Sequence, residues 1–284
     1  MEQGRPSVTA LRAAVLRAIH QLVDDEPKVI TDPVAERLVE AAAPGSIETG
    51  KKTFSPPELK GSRAVFVLRS RFAEDELAVA ATRGVRQYVS LGAGLDTFAY
   101  RQPPYAGDLH LFEVDHPATQ EWKRQSLAAA DIPLPSNLRW VPVNFEHQVL
   151  SEQLIAAGFD RTQPACFSWL GVTQYLTLPA IDETLRFVAG LPSPSTIVLT
   201  FVLSDEALTD DDRDRKRRFA QSAAGLGEPW LTFFHPDEFV GRLHDLGFSH
   251  VFHLTPADAN CRYFAGRRDG MQVSPLEQLI SASV

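Results

Sequence analysis

This 284-residue chain predicts an α/β fold built on a mostly parallel sheet, and three features of its sequence carry that prediction. From residue 85 onward, short apolar runs alternate with segments of helical periodicity, as expected when helices cover both faces of a parallel sheet. The first apolar run breaks into a turn at Gly92 and Gly94, and the second ends in the carboxylates Glu113 and Asp115. The last two runs are joined without a helix, so they should pair antiparallel.

Ahead of that pattern the chain reads as helical. Leu11, Ala14, Val15, Ala18, Ile19 and Leu22 recur at i, i+3, i+4, i+7 spacing behind Thr9, a natural N-cap. Asp32-Pro33 opens a second helix over 34–43, since proline at the first helical position gives up no needed N–H. Pro44-Gly45 closes it. Residues 46–61, rich in Gly, Lys, Ser and Pro, read as a mobile loop, and a third helix over 63–82 follows.

Five strands are predicted at 87–91, 109–114, 138–143, 165–170 and 196–202, with helices over 117–130, 148–157 and 179–190. A polar excursion spans 204–232. One more helix, 236–246, leads to two short strands at 248–254 and 262–265. No repeat or linker interrupts the chain, so 1–284 is expected to be one domain. It divides into a helical cap (1–84), a core (85–203), an insertion (204–234) and the rest of the core (235–284).

Composition narrows the function. The formal net charge is −8 and the one dense basic run, 213–218, follows a run of aspartates. That order suits a helix with acids at its positive end, capped by Thr209, better than a phosphate-neutralising patch. Nucleic acid is therefore not an expected partner. No stretch approaches the ~18 uncharged apolar residues of a membrane span. A signal peptide is not expected either, because Arg12, Arg17 and His20 interrupt the first apolar helix. Cys166 and Cys261 are far apart and form neither a disulfide framework nor a metal site, which fits a cytoplasmic protein.

The glycine turn and the acid behind it point to a nucleoside. Gly92 and Asp115 lie 23 residues apart, close to the roughly 20 that separate a nucleotide-contacting turn from a ribose-binding acid. The third glycine of a dinucleotide fingerprint would fall at Thr97. Without it the turn suits a nucleoside lacking a diphosphate, of which S-adenosylmethionine (SAM) is the commonest. A tight turn with no ligand is the alternative. Asp115, if ionised, could accept both ribose hydroxyls at once. Glu113 points to the opposite strand face, and either acid could instead cap the helix at Pro117.

Four motifs in order carry a family resemblance. They are Leu91-Gly92-Ala93-Gly94-Leu95-Asp96-Thr97 with Ala99-Tyr100-Arg101, then Phe112-Glu113-Val114-Asp115-His116-Pro117. Val141-Pro142-Val143-Asn144-Phe145-Glu146 and Trp169-Leu170-Gly171-Val172-Thr173-Gln174-Tyr175-Leu176-Thr177 follow. Over residues 9–269 the chain resembles bacterial SAM-dependent methyltransferases related to leucine carboxyl methyltransferase and polyketide O-methyltransferases. The resemblance implies a Rossmann-like class I methyltransferase fold: a seven-stranded, mostly parallel sheet with an antiparallel last strand, under an N-terminal helical lid. It also implies SAM as cofactor, S-adenosylhomocysteine as product, and O-methylation of a carboxylate or hydroxyl on a small molecule.

Residue by residue, the resemblance places Gly92, Ala93 and Gly94 against the cofactor and Asp115 on its ribose. Asn144 stands where relatives usually have an aspartate for the adenine amino group, and its amide oxygen accepts more weakly. Phe145 offers an adenine-stacking face or a core side chain. Arg69 matches the arginine that grips the SAM carboxylate, with Arg71 as its competitor and Arg17 as a second contact. Leu170 replaces a glutamate that many relatives hold beside the sulfonium, which implies looser SAM binding or a substrate that brings its own negative charge. Tyr175 and His116 are the candidate catalytic residues, with His147 as a further possible base. Tyr175 is equally readable as a core residue, and a lone histidine is more often structural. Phe219, Trp230, Phe233 and Phe234 suggest an apolar or aromatic acceptor, or simply a lid core. A non-catalytic SAM-fold scaffold remains the alternative function. A nicotinamide oxidoreductase is disfavoured, because no Tyr-x-x-x-Lys pair accompanies the missing glycine.

Overall fold

The computed structural model describes residues 7–144 and 148–284. Its strands are β1 (Gln87–Leu91), β2 (His110–Asp115), β3 (Leu138–Pro142), β4 (Ala165–Trp169), β5 (Thr196–Val202), β6 (His250–Leu254) and β7 (Glu277–Ser283). They form a seven-stranded sheet in the order β3-β2-β1-β4-β5-β7-β6. β1 to β5 pair in parallel, while β7 lies antiparallel between β5 and β6. The helices are α1 (Val8–Val23), α2 (Ala35–Ala42), α3 (Ser46–Phe54), α4 (Lys60–Thr82), α5 (Pro117–Ala129), α6 (Leu150–Ala156), α7 (Leu178–Ala189), α8 (Asp210–Gly225), α9 (Pro236–Asp245) and α10 (Pro256–Ala259).

The order reverses between β1 and β4, so their crossovers leave on opposite faces and open a crevice at the carboxyl ends. Register fixes what meets there. Leu91 pairs with Val114 on one side and Trp169 on the other. The next residues along, Gly92, Asp115 and Leu170, therefore emerge at the same sheet edge. Strands buried on both faces hold that edge still: every residue of β1, β4 and β5 is buried. Trp169, Phe167 and Phe201 fill the core beneath it.

The N-terminal helices pack over this edge. α1 contacts α2, α3 and α4, and α2 reaches α5. One buried ion pair anchors the group: Arg63 on α4 meets Asp24 at 2.6 and 3.0 Å. His20 Nε2 accepts from the Val29 N–H, which leaves its Nδ1 to donate to Asp24.

Three sequence expectations are corrected. Residues 262–265 are not a strand; residues 260–264 form a single wide helical turn after α10, and the last strand is β7. Ser281 and Ser283 gave β7 a weak strand signal. Its place comes from hydrogen-bonding neighbours on both edges. The 46–61 segment is not a loop but α3 followed by a turn of 3₁₀ helix and the start of α4. α3 is held because Ile47 and Gly50 bury against α1; a β-carbon at Gly50 would sit 2.6 Å from Val15 Cγ1. The cap of α1 is Ser7, whose hydroxyl accepts from the Ala10 N–H. Thr9 instead hydrogen-bonds Glu228.

Candidate active site

A cavity of about 460 Å³ opens at the β1/β4 switch point, within the range typical of small-molecule and cofactor sites. Its walls include the carboxyl-end turns of β1, β2 and β4, together with α1, α4 and the segment after α8. Arg69, Gly92, Ala93, Gly94, Asp115, Asn144, Leu170, Tyr175 and His116 all line it. Phe145 and His147 lie outside the described residues.

The glycine turn is shaped from both sides. Gly92 and Gly94 have φ of 66° and 47°, a region that costs a β-carbon-bearing residue about 1–3 kcal/mol. A β-carbon on Gly92 would stand 2.5 Å from Val172 Cγ2, and one on Gly94 would stand 3.0 Å from Ala10 Cβ on α1. The bare turn thus lets the β4 loop and the lid helix close in.

The turn's N–H groups are already engaged. Those of Gly92 and Ala93 donate to Val114 O, and that of Gly94 donates to Asp115 Oδ2 at 2.5 Å. The chain then enters a 3₁₀ helix, Phe98–Tyr100, rather than an α-helix. A diphosphate would find no free amide at Gly92, Ala93 or Gly94 and no α-helix N-terminus directly after the turn. Thr97, in place of the third glycine, is fully buried and donates to Asp32 Oδ2. The other Asp32 oxygen accepts from the N–H groups of Val34 and Ala35, which ties the start of α2 to the turn.

Asp115 accepts from Gly94 N–H through one oxygen and from His116 N–H at 2.6 Å through the other. Each oxygen keeps a lone pair for a ligand hydroxyl. Burial raises its pKa, and the two backbone bonds only partly offset that. Glu113 lies on the other face of the strand, away from the cavity, against Lys123 at 2.7 Å and Tyr100. Burial pushes its pKa up to about 7 against the pull of Lys123. The helix at Pro117 is capped by neither acid: His116 Nδ1 accepts from Ala118 N–H.

Three arginines of the lid helices reach the cavity. Arg69 is buried, meets Glu277 at 3.2 Å, stacks over Phe66 and lies against Gly171. Arg71 points elsewhere, to Asp75 at the surface. Arg17 donates to Leu95 O at 2.6 Å, and its buried Nε makes no hydrogen bond among the described residues but lies 3.8 Å from Asp32. Asp96 beside it is held below the usual range; burial opposes this, but Arg17, Lys123 and Arg101 outweigh it. Arg12 is described below. Sequence reasoning missed Glu277, Glu228 and Arg12, because β7, the post-α8 strap and α1 meet only in three dimensions. Of the lid aromatics, Phe219 and Trp230 line the cavity, whereas Phe234 is buried and stacks on Phe239 at 4.0 Å.

The leucine carboxyl methyltransferase family model matches residues 10–189. The chain belongs to that family. YktD of Bacillus subtilis (strain 168), which carries the provisional name of a SAM-dependent methyltransferase, is 31% identical over 297 aligned positions, covering 95% of each chain. A Mycobacterium avium (strain 104) protein with the same provisional name is 30% identical over 252 positions, 85% of this chain and 80% of its own. Among solved structures, a DUF574 family protein of Streptomyces avermitilis superposes with TM-score 0.56 at 16% identity over 96% of each chain. A protein of Thermobifida fusca, provisionally named a methyltransferase, does so with 0.56 at 17%, over 99% of this chain and 96% of its own. These two show the fold alone.

This methyltransferase uses SAM, and the cavity fits it. An adenosyl group needs a ribose acceptor, and the carboxylate of Asp115 lines the cavity with both oxygens held by backbone N–H groups. Its aminoacyl end carries a carboxylate that suits a cation, and the guanidinium groups of Arg69 and Arg17 line the cavity beside the glycine turn. Among the described residues, no group of His, Cys, Asp and Glu could hold a metal, and no helix is long and apolar enough to cross a membrane.

Proposed function

We propose that the chain methylates an oxygen of a small molecule, with a carboxylate as the favoured acceptor. One observation carries the choice. Among the described lining residues the sole histidine is His116, and its Nδ1 is occupied as a helix cap beside Asp115. A carboxylate acceptor needs no proton removed, whereas a phenol or alcohol does. Tyr175, whose hydroxyl makes no hydrogen bond among the described residues, would orient an acceptor oxygen and is the other candidate for a catalytic role.

When bound, SAM supplies a methyl group already activated by its sulfonium. The protein's task is then positioning and exclusion of water. Asp115 would hold the ribose, Asn144 the adenine edge, Arg69 the cofactor carboxylate with Arg17 in support, and Gly92 to Gly94 the aminoacyl chain. Leu170, half-buried against the α4 side of the core, gives the methyl end an apolar wall. The chain acts as one unit in this reading: residues 1–84 and 204–234 roof a site laid down by 85–203. Its unpaired cysteines, Cys166 buried and Cys261 exposed, suit the reducing cytoplasm.

Incubation with SAM and parallel panels of carboxylic acids and phenols, followed by mass spectrometry for S-adenosylhomocysteine and methylated product, tests the proposal. Methyl esters from the acid panel are expected. S-adenosylhomocysteine binding with no turnover on either panel would favour the scaffold reading that Leu170 allows.

A further inference from the structure

Arg12 differs from the other arginines of the cavity. Arg17 lies 3.8 Å from Asp32 and bonds a carbonyl, and Arg69 has Glu277. Arg12 faces two rings: its guanidinium carbon lies 5.6 Å from the centre of Phe54 and 5.4 Å from that of Phe219. Among the described residues no carboxylate pairs with it. Half-buried between α3 and α8, it has lost part of its hydration, which lowers its pKa. The remaining electrostatic neighbour is Tyr175, whose hydroxyl is also unengaged.

The surroundings are apolar in a way that solvent does not explain. Leu226 and Leu231, on the rim of the same cavity, are 45% and 53% exposed. Phe54, Phe219 and Trp230 complete that wall. Glu228, which also lines the cavity, is already bonded to Thr9, accepting from the Thr9 hydroxyl at 2.5 Å and the Thr9 N–H at 3.3 Å. A half-dry cation with no counterion among the described residues, set in an aromatic and aliphatic rim, describes a receptor for an amphiphilic anion.

We propose that Arg12 binds a carboxylate on the methyl acceptor, and that the acceptor is a carboxylic acid with an aromatic or long aliphatic body. A guanidinium forks onto a carboxylate through parallel N–H···O bonds. A single arginine matches a monoanion, and Glu228 on the same wall disfavours a phosphate dianion. The assignment deepens the function proposed above and rests on it for the word acceptor. An acid held here also brings the negative charge that Leu170 does not provide.

The test is ligand-observed NMR titration of the full chain, with and without saturating S-adenosylhomocysteine. The probes are phenylacetate, 3-phenylpropionate and decanoate, against phenylacetamide, methyl phenylacetate and phenyl phosphate. The expected result is that the carboxylates bind about 10- to 100-fold more tightly than the neutral analogues. Arg12→Met is expected to abolish that preference and Arg12→Lys to restore part of it, with S-adenosylhomocysteine affinity retained in both. Thermal melts report whether the variants fold, and Arg12→Lys carries the test if Arg12→Met does not. Equal binding of acid and amide, stronger binding of phenyl phosphate, no acid bound at millimolar concentration, or an unchanged preference in Arg12→Met would each overturn the proposal. Failure to bind S-adenosylhomocysteine breaks the methyltransferase reading instead, and titration of the unloaded protein still decides the role of Arg12.

Discussion

The two ends of the cavity are built on different principles. At the cofactor end, polar groups are bonded before any ligand arrives: Asp115 holds two backbone N–H groups, the glycine turn donates inward, and Thr97 is tied to Asp32. Parallel strand register places these groups. At the proposed acceptor end, helices and a strap meet from distant parts of the chain; among the described residues Arg12 meets rings but no carboxylate, the Tyr175 hydroxyl makes no hydrogen bond, and Leu226 and Leu231 stay exposed. In the function proposed above, the contrast means that the cofactor site is preorganised by the sheet, whereas the acceptor site is a surface completed by its ligand.

The largest effect expected from that contrast is at Asp115. Asp115→Ala should weaken S-adenosylhomocysteine binding about 100-fold or more by calorimetry, since a charged acceptor for paired hydroxyls is lost. Asp115→Asn keeps the shape and should lose less. A change of under threefold in both variants would mean that the sheet edge does not hold the ribose.

Next comes Gly92→Ala. The new β-carbon meets Val172 at 2.5 Å in a backbone of φ 66°, so denaturant unfolding should show a loss of about 1–3 kcal/mol. Val172→Ala in the same chain should recover part of it. The control is Gly84→Ala, at φ 91° with nothing within 4 Å, which should lack the part that Val172→Ala restores.

At the other end, Glu228→Gln weakens the tie between α1 and the strap, at a cost of about 1 kcal/mol. Limited proteolysis should cut faster after α8, while S-adenosylhomocysteine affinity moves far less than in Asp115→Ala. The reverse ranking would contradict the division into two ends.

One further effect depends on pH. Folding raises Glu113 from its ordinary 4.5 to about 7, so the folded state binds its proton more tightly than the unfolded chain does. Its contribution to stability is therefore full below about 4.5 and is lost as pH rises through about 7. Glu113→Gln should flatten the pH dependence of the melting temperature across that window.

Much of the sheet-edge wall of the cavity was legible in the sequence because local patterns determine it. Glycines at a strand end and an acid at the next strand's end are close in sequence, and parallel register does the rest. Arg69 was separated from Arg71 by the family resemblance, and the structure agrees on which of them faces the cavity. What stayed hidden depended on long-range packing. β7 looked unlike a strand because its serines carry little strand preference, and α3 looked like a loop because its helicity comes from burial against α1. The pairing of Arg69 with Glu277 and of Thr9 with Glu228 spans 208 and 219 residues, and no spacing rule reaches that far.

The most direct test is calorimetric titration of the wild-type chain with S-adenosylhomocysteine, with NAD and NADP run alongside. The account predicts one saturable site of micromolar affinity or tighter for S-adenosylhomocysteine and none for the dinucleotides. No heat at high micromolar S-adenosylhomocysteine, or preferential uptake of a dinucleotide, would contradict it.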